Sequence, residues 1–85
     1  MKLVLIRWDD SSFSHGGWVD EDELKTLNVS RGVSVGFVIE ETKDKIVLVQ
    51  NIGESKQRAS AIAIPKSCIK RIWKLKVFPH PPFSA

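Results

Sequence analysis

Five short apolar runs, each closed by turn-forming or charged residues, predict a mainly β domain. The expected form is a small, strongly bent antiparallel barrel of five strands, with one short helix between the first and second strands and a 3-10 turn before the last. Three observations carry this. Residues 34–41 and 45–51 alternate on either side of Thr42-Lys43-Asp44-Lys45, as the arms of a hairpin do. Gly36 interrupts the first arm, where a small barrel needs a sharp bend or bulge. The chain has 85 residues, too few for two stacked sheets of any size, and closure would hide strand edges that otherwise recruit other chains.

The elements follow in order. Residues 2–8 form a strand with Val4, Ile6 and Trp8 on one face and Leu3, Leu5 and Arg7 on the other, ended by Asp9-Asp10-Ser11-Ser12. Ser14-His15-Gly16-Gly17 is a loop. Asp20-Glu21-Asp22-Glu23 suits the first turn of a short helix, because the unpaired amides there carry partial positive charge. Asp20 or Asp22 caps it and Asn28 ends it. A helix so short needs support, and Leu24 and Leu27 are the residues to lean on the sheet. The hairpin comes next, then the polar loop 53–58 and a strand at 59–64 that Pro65 terminates. Pro65-Lys66-Ser67-Cys68 makes one 3-10 turn, and 69–77 is the last strand. The barrel therefore occupies residues 1–77. Residues 78–85, with three prolines, form an extended tail that orders only if Phe78 and Phe83 dock.

Composition removes several functions. Cys68 is the only cysteine and there are two histidines, so neither an internal disulfide nor a structural zinc site is expected. The apolar start 3–6 is shorter than a signal-peptide core of ~7–15 residues, and no run approaches the ~18 of a membrane span. The expected compartment is the cytoplasm, where a lone thiol stays reduced. A phosphate loop, a metal spacing and a dinucleotide fingerprint are all missing, so no cofactor is expected. Ser12, Ser14, His15, Asp9 and Asp10 share one loop, but these types also build solvated turns. Asp20–Glu23 and Glu40-Glu41 read as helix-start and turn chemistry. Cys68 lies near Lys66 and Lys70, which favour a thiolate, yet it reads as a small core residue without a histidine partner. His80, between prolines, reads as a spectator. The expectation is a protein that is not an enzyme.

Two motif sets bear a resemblance. Gly36-Phe37-Val38-Ile39-Glu40-Glu41, then Ile46-Val47-Leu48-Val49, then Ile64-Pro65-Lys66-Ser67-Cys68-Ile69-Lys70-Arg71-Ile72 resembles the SH3-like and Sm-like small barrels. Val4-x-Ile6-x-Trp8-x-Asp10 and Gly17-Trp18, taken with Gly36 to Glu41 and Ile64-Pro65-Lys66-Ser67-x-Ile69, is similar to small proteins encoded by bacteriophages and prophages. It covers roughly residues 3 to 75. The resemblance implies a compact β-barrel of phage or prophage origin in a bacterial host cell, and it supplies no activity and no site residues.

Charge placement says more than the net +3. Residues 1–54 hold six basic and ten acidic groups, a balance of −4, whereas 55–85 hold seven basic groups and no acid. Lys66, Lys70, Arg71, Lys74 and Lys76, with Trp73 among them, have the composition of a nucleic-acid surface that reads phosphates and stacks bases. The same lysines equally describe a solvated edge that resists strand addition. Strict alternation puts Ile69, Arg71, Trp73 and Leu75 on one face and Lys70, Ile72, Lys74 and Lys76 on the other, so either the register shifts near Pro65 or one side is incompletely covered. Trp8 is in register with Val4 and Ile6 and reads as core. Trp18, after two glycines, is either an anchor for a protein contact or a lid on the barrel mouth. The expected function is protein binding or self-association by a non-catalytic accessory protein, with nucleic-acid binding through the basic last strand as the alternative.

Overall fold

The computed structural model describes residues 2–12 and 16–76 of the chain. Strand β1 (Leu3–Asp10) is followed by helix α1 (Glu21–Leu24), β2 (Ser30–Glu41), β3 (Lys45–Ile52), β4 (Arg58–Pro65), a 3-10 turn (Lys66–Cys68) and β5 (Ile69–Leu75). The strands make one antiparallel sheet in the order β4-β3-β2-β1-β5. All five expected strands, the short helix and the 3-10 turn are present. The expected closure is not: among the described residues no ladder joins β4 to β5, so the sheet is open.

It is nonetheless curled, and chain connectivity requires this. The edge strands β4 and β5 are separated by four strand spacings, ~19 Å in a flat sheet. Yet Pro65 pairs with Lys45 at one edge and Ile69 pairs with Trp8 near the other, and four residues reach at most ~14 Å. The sheet bends until Ile64 of β4 packs with Val4 and Ile6 of β1, and with Ile46 and Leu48 of β3. These five side chains form the core cluster, with Trp8, Val38 and Ile69 against it, and Val49, opposite Phe37, is buried as well. Burying each stabilises the fold by about 1.5–3 kcal/mol.

Gly36 makes the curl possible. A Cβ there would lie 2.9 Å from the Val49 carbonyl oxygen and 3.1 Å from the Leu48 Cβ, so β3 folds onto β2 where a side chain would block it. The ladder irregularity itself falls two residues on, between Val38 and Glu40, leaving Ile39 unpaired. Gly32, ahead of the strand start expected at residue 34, lies within β2. Its missing side chain leaves room for the Trp8 indole, 3.2 Å from the would-be Cβ, and the Trp8 Nε1 donates to the Ser34 hydroxyl at 3.0 Å. This is why β2 begins at Ser30 and pairs with β1 as far as Asp10.

A bulge also resolves the alternation of the last strand. Arg7 pairs with Arg71 but Trp8 pairs with Ile69, leaving Lys70 as an extra residue in β5. Ile69 therefore turns inward beside Trp8, while Arg71, Trp73 and Leu75 turn outward. The end of that expected strand, Val77, the tail 78–85 with His80, and Ser14 and His15 lie outside the described residues.

Helix α1 departs from expectation. It spans four residues, Asp20 occupies the cap position without a side-chain bond, and Leu24 and Leu27 remain exposed instead of leaning on the sheet. One turn offers no continuous apolar stripe to bury, so it is held locally: the Glu23 and Leu24 amides donate to the Asp20 carbonyl, and the Thr26 hydroxyl donates to the Glu23 carbonyl at 2.7 Å.

Candidate functional site

Direct partners in an antiparallel ladder point to the same side of a sheet. The register therefore sorts the residues of β5, β1 and β2 into rows. On the inner side, Val4 faces Gly36, Ile6 faces Ser34 and Trp8 faces Gly32. On the outer side, Leu75, Leu3 and Phe37 form one row, Trp73, Leu5 and Val35 a second, and Arg71, Arg7 and Val33 a third. The first row continues into Val49 of β3, which is buried, while the other two rows end on the exposed Val35 and Val33. Val33 is 62% exposed, Val35 41% and Trp73 38%, with Leu3, Leu5 and Phe37 half-buried between them.

The basic end of this face is ordered. The Arg7 guanidinium donates to the Asp9 carboxylate and, at 2.8 Å, to the Trp8 carbonyl. That hydrogen bond, with the charges of Arg7, Lys70 and Arg31 around it, holds the Asp9 carboxyl below its ordinary value. The Lys70 ammonium stands 4.0 Å from the same carboxylate. The Arg71 guanidinium lies over the Trp73 ring, 4.8 Å from its centroid, a cation–π pair.

The six candidate nucleic-acid residues divide accordingly. Arg71 and Trp73 share the outer face, and Lys70 is the bulged residue beside the Asp9 carboxylate. Lys74 registers with Val4, on the other side of the edge strand. Lys66 sits in the 3-10 turn and pairs with Glu41 at 2.9 Å, which lowers the Glu41 pKa. Lys76 is exposed just beyond β5. Trp18 is fully exposed and stands clear of the sheet, so it is not a lid. Around it, Asp20, Glu21, Asp22, Glu23, Leu24, Leu27 and Val29 are all exposed.

Several of the described residues weighed for catalysis have structural partners. The Ser12 hydroxyl donates to the Asn28 carbonyl and ties the neck of the β1–β2 loop. Asp10 accepts from the Ser11 amide at 2.8 Å, and Asp9 and Glu41 hold the ion pairs described. Cys68 is half-buried, with the Ser67 hydroxyl 4.0 Å from its sulfur. A shallow hollow at the β3–β4 hairpin is lined by Asn51, Ile52, Gly53, Gln57, Arg58 and Ala59, with neither nucleophile and base nor paired carboxylates. Among the described residues no three of His, Cys, Asp and Glu gather as metal ligands, and no helix is long and apolar enough to cross a membrane.

Sequence reasoning missed the outer apolar face. The signal was present in β1, which is apolar on both alternations: a strand of that kind is covered on both sides or leaves one side exposed. Comparison with protein-family models, with curated proteins and with solved structures finds no match to this chain.

Proposed function

We propose that the chain is a non-catalytic binding module, an accessory protein of bacteriophage or prophage origin acting in the host cytoplasm, that contacts protein through the outer face of its sheet and the Trp18 loop. The origin rests on the motif resemblance alone. The contact surface rests on one observation: Val33, Val35 and Trp73 stay exposed beside Leu3, Leu5 and Phe37 in a contiguous apolar face. Single exposed apolar residues are ordinary, whereas contiguous patches rimmed by polar groups mark interaction surfaces. The Arg71–Trp73 pair adds two residue types that often carry interface energy.

The experiment uses the environment-sensitive dye anilinonaphthalene sulfonate. The folded chain is expected to bind it, and Val35→Glu is expected to abolish binding while leaving the unfolding midpoint within a few degrees. Dye binding unaffected by Val35→Glu contradicts the reading.

Nucleic-acid binding is the second reading. It is favoured by the absence of any acid in residues 69–76, where Lys70, Arg71, Lys74 and Lys76 accompany Trp73. Against it, these cations point to different sides of β5, and Lys66 and Lys70 have carboxylate neighbours. Phosphate binding releases counterions and so weakens steeply with salt. A labelled oligonucleotide is expected not to bind at ~50 mM salt; tight, steeply salt-dependent binding abolished by Arg71→Glu would replace protein contact with this alternative.

A further inference from the structure

We infer that the partner of the β5 side of this face is a second copy of the chain, whose acidic Trp18 loop seats against the basic β5 edge. The inference rests on the protein-contact reading above and names its occupant. Two surfaces of the molecule complement each other, and they lie on different elements.

The first surface is the β1–β2 loop. Residues 16–29 carry Asp20, Glu21, Asp22 and Glu23 against Lys25 alone, a balance of −3, and all five are exposed. The only salt bridge within this stretch joins Asp22 to the exposed Lys25 at 3.4 Å. Trp18 projects fully into solvent, with Leu24 45%, Leu27 46% and Val29 54% exposed. A tryptophan and three aliphatic side chains left outside the core of so short a chain are large apolar surfaces without a partner in their own sheet.

The second surface is β5 with the residue after it. Residues 69–76 carry Lys70, Arg71, Lys74 and Lys76 and no acid, a balance of +4. Trp73 and Leu75 are exposed on the outer side of this edge strand, 38% and 36%, and Ile72, in register with Ile6, is exposed on its other side, 44%. Among the described residues, Lys70 is the one of these four cations with a carboxylate within 4.0 Å, and that carboxylate is already bonded to Arg7. A loop offering −3 with an apolar anchor, laid along an unpaired edge strand whose two sides together offer +4 and exposed apolar groups, fits in sign and in character. Such complementarity speeds encounter and fixes orientation, while the apolar groups supply most of the attraction. The loop and the edge differ, so one pairing leaves an unused loop and an unused edge; a two-fold arrangement that uses both closes the pair as a dimer.

Sedimentation across protein concentration and salt tests this. The chain is expected to shift from monomer to dimer with rising concentration at ~50 mM salt, and the dissociation constant should rise at least tenfold by ~0.5 M salt, where charges are screened within a few ångströms. Reversing the loop (Asp20→Lys, Glu21→Lys, Asp22→Lys, Glu23→Lys) or the edge (Lys70→Glu, Arg71→Glu, Lys74→Glu, Lys76→Glu) should give monomers. The equimolar mixture of the two folded variants should associate again. Trp18→Ala, which removes no buried contact, should weaken association at least tenfold with the circular dichroism spectrum unchanged. A wild-type monomer at ~1 mM and low salt, a mixture that stays monomeric, or self-association indifferent to salt and to Trp18→Ala would overturn the inference. The monomer result leaves the outer-face reading to be decided by dye binding, so the two fail separately.

Discussion

Gly36 is the residue on which the curl depends, because β3 occupies the space where its side chain would stand. A methyl group there meets backbone at 2.9 Å, and backbone yields less than a side-chain tip. Gly36→Ala is therefore expected to cost about 1–3 kcal/mol in urea unfolding. Gly17→Ala, where nothing lies within 4 Å, should change stability by no more than about 0.5 kcal/mol. Charge acts at this scale as well. Asp9 and Glu41 are held below their ordinary pKa values, Asp9 chiefly by the Arg7 hydrogen bond and Glu41 by that of Lys66. A carboxylate whose folded pKa is depressed favours folding above its unfolded pKa, and that contribution disappears as pH falls through the folded value. Stability should be level near neutrality and decline once pH drops below about 4.5, the ordinary Glu value, and 3.8, that of Asp. Asp9→Asn should flatten part of this acid limb in unfolding measured between pH 6 and 2. An acid limb identical to that of the unmutated chain would remove the role given to the Arg7–Asp9 pair.

At the scale of elements, the β3–β4 hairpin holds Ser55 and Lys56 at positive φ, 57° and 65°, closed by the Gln57 amide on the Glu54 carbonyl and the Gly53 amide on the Gln57 carbonyl. Two successive residues in that region define a type I′ turn, which Asn-Gly adopts with less strain. Replacing Ser55 by Asn and Lys56 by Gly should raise stability by about 0.5–1 kcal/mol, read as a higher urea midpoint with an unchanged slope. The strands themselves were legible in the string of residues, because alternation and turn chemistry are local properties. The hairpin at Thr42, the stop at Pro65 and the placement of Trp8 against the core all follow from neighbours a few positions apart. What was not legible depends on pairing. The Lys70 bulge exists only relative to β1, and Gly32 belongs to β2 because Trp8, twenty-four positions earlier, needs its space. The helix appeared where acidic residues placed it, but whether Leu24 and Leu27 would be covered is a tertiary question. Sequence pattern answered it wrongly, since one turn has too little face to dock.

The whole molecule is an open, curled sheet with two unequal sides. Its inner side gathers Val4, Ile6, Ile46, Leu48 and Ile64 into a small core, and connectivity through the 3-10 turn holds the edges near enough for Ile64 to reach β1. Its outer side is apolar in the centre and basic toward Arg7 and Arg71, and the fold does not require it to be covered. Both the proposed protein contact and the proposed pairing of copies follow from that asymmetry: the inner side makes the protein fold, and the outer side is left to bind. One substitution made on each side, read by urea unfolding, tests this most directly. Val4 is 3% exposed on the inner side and Val35 is 41% exposed on the outer side, in neighbouring strands. Changing each to Thr keeps shape and β-branching while adding a hydroxyl. Val4→Thr is predicted to cost about 1–3 kcal/mol and Val35→Thr no more than about 0.5 kcal/mol. Equal losses at the two positions would contradict the division of labour between the faces.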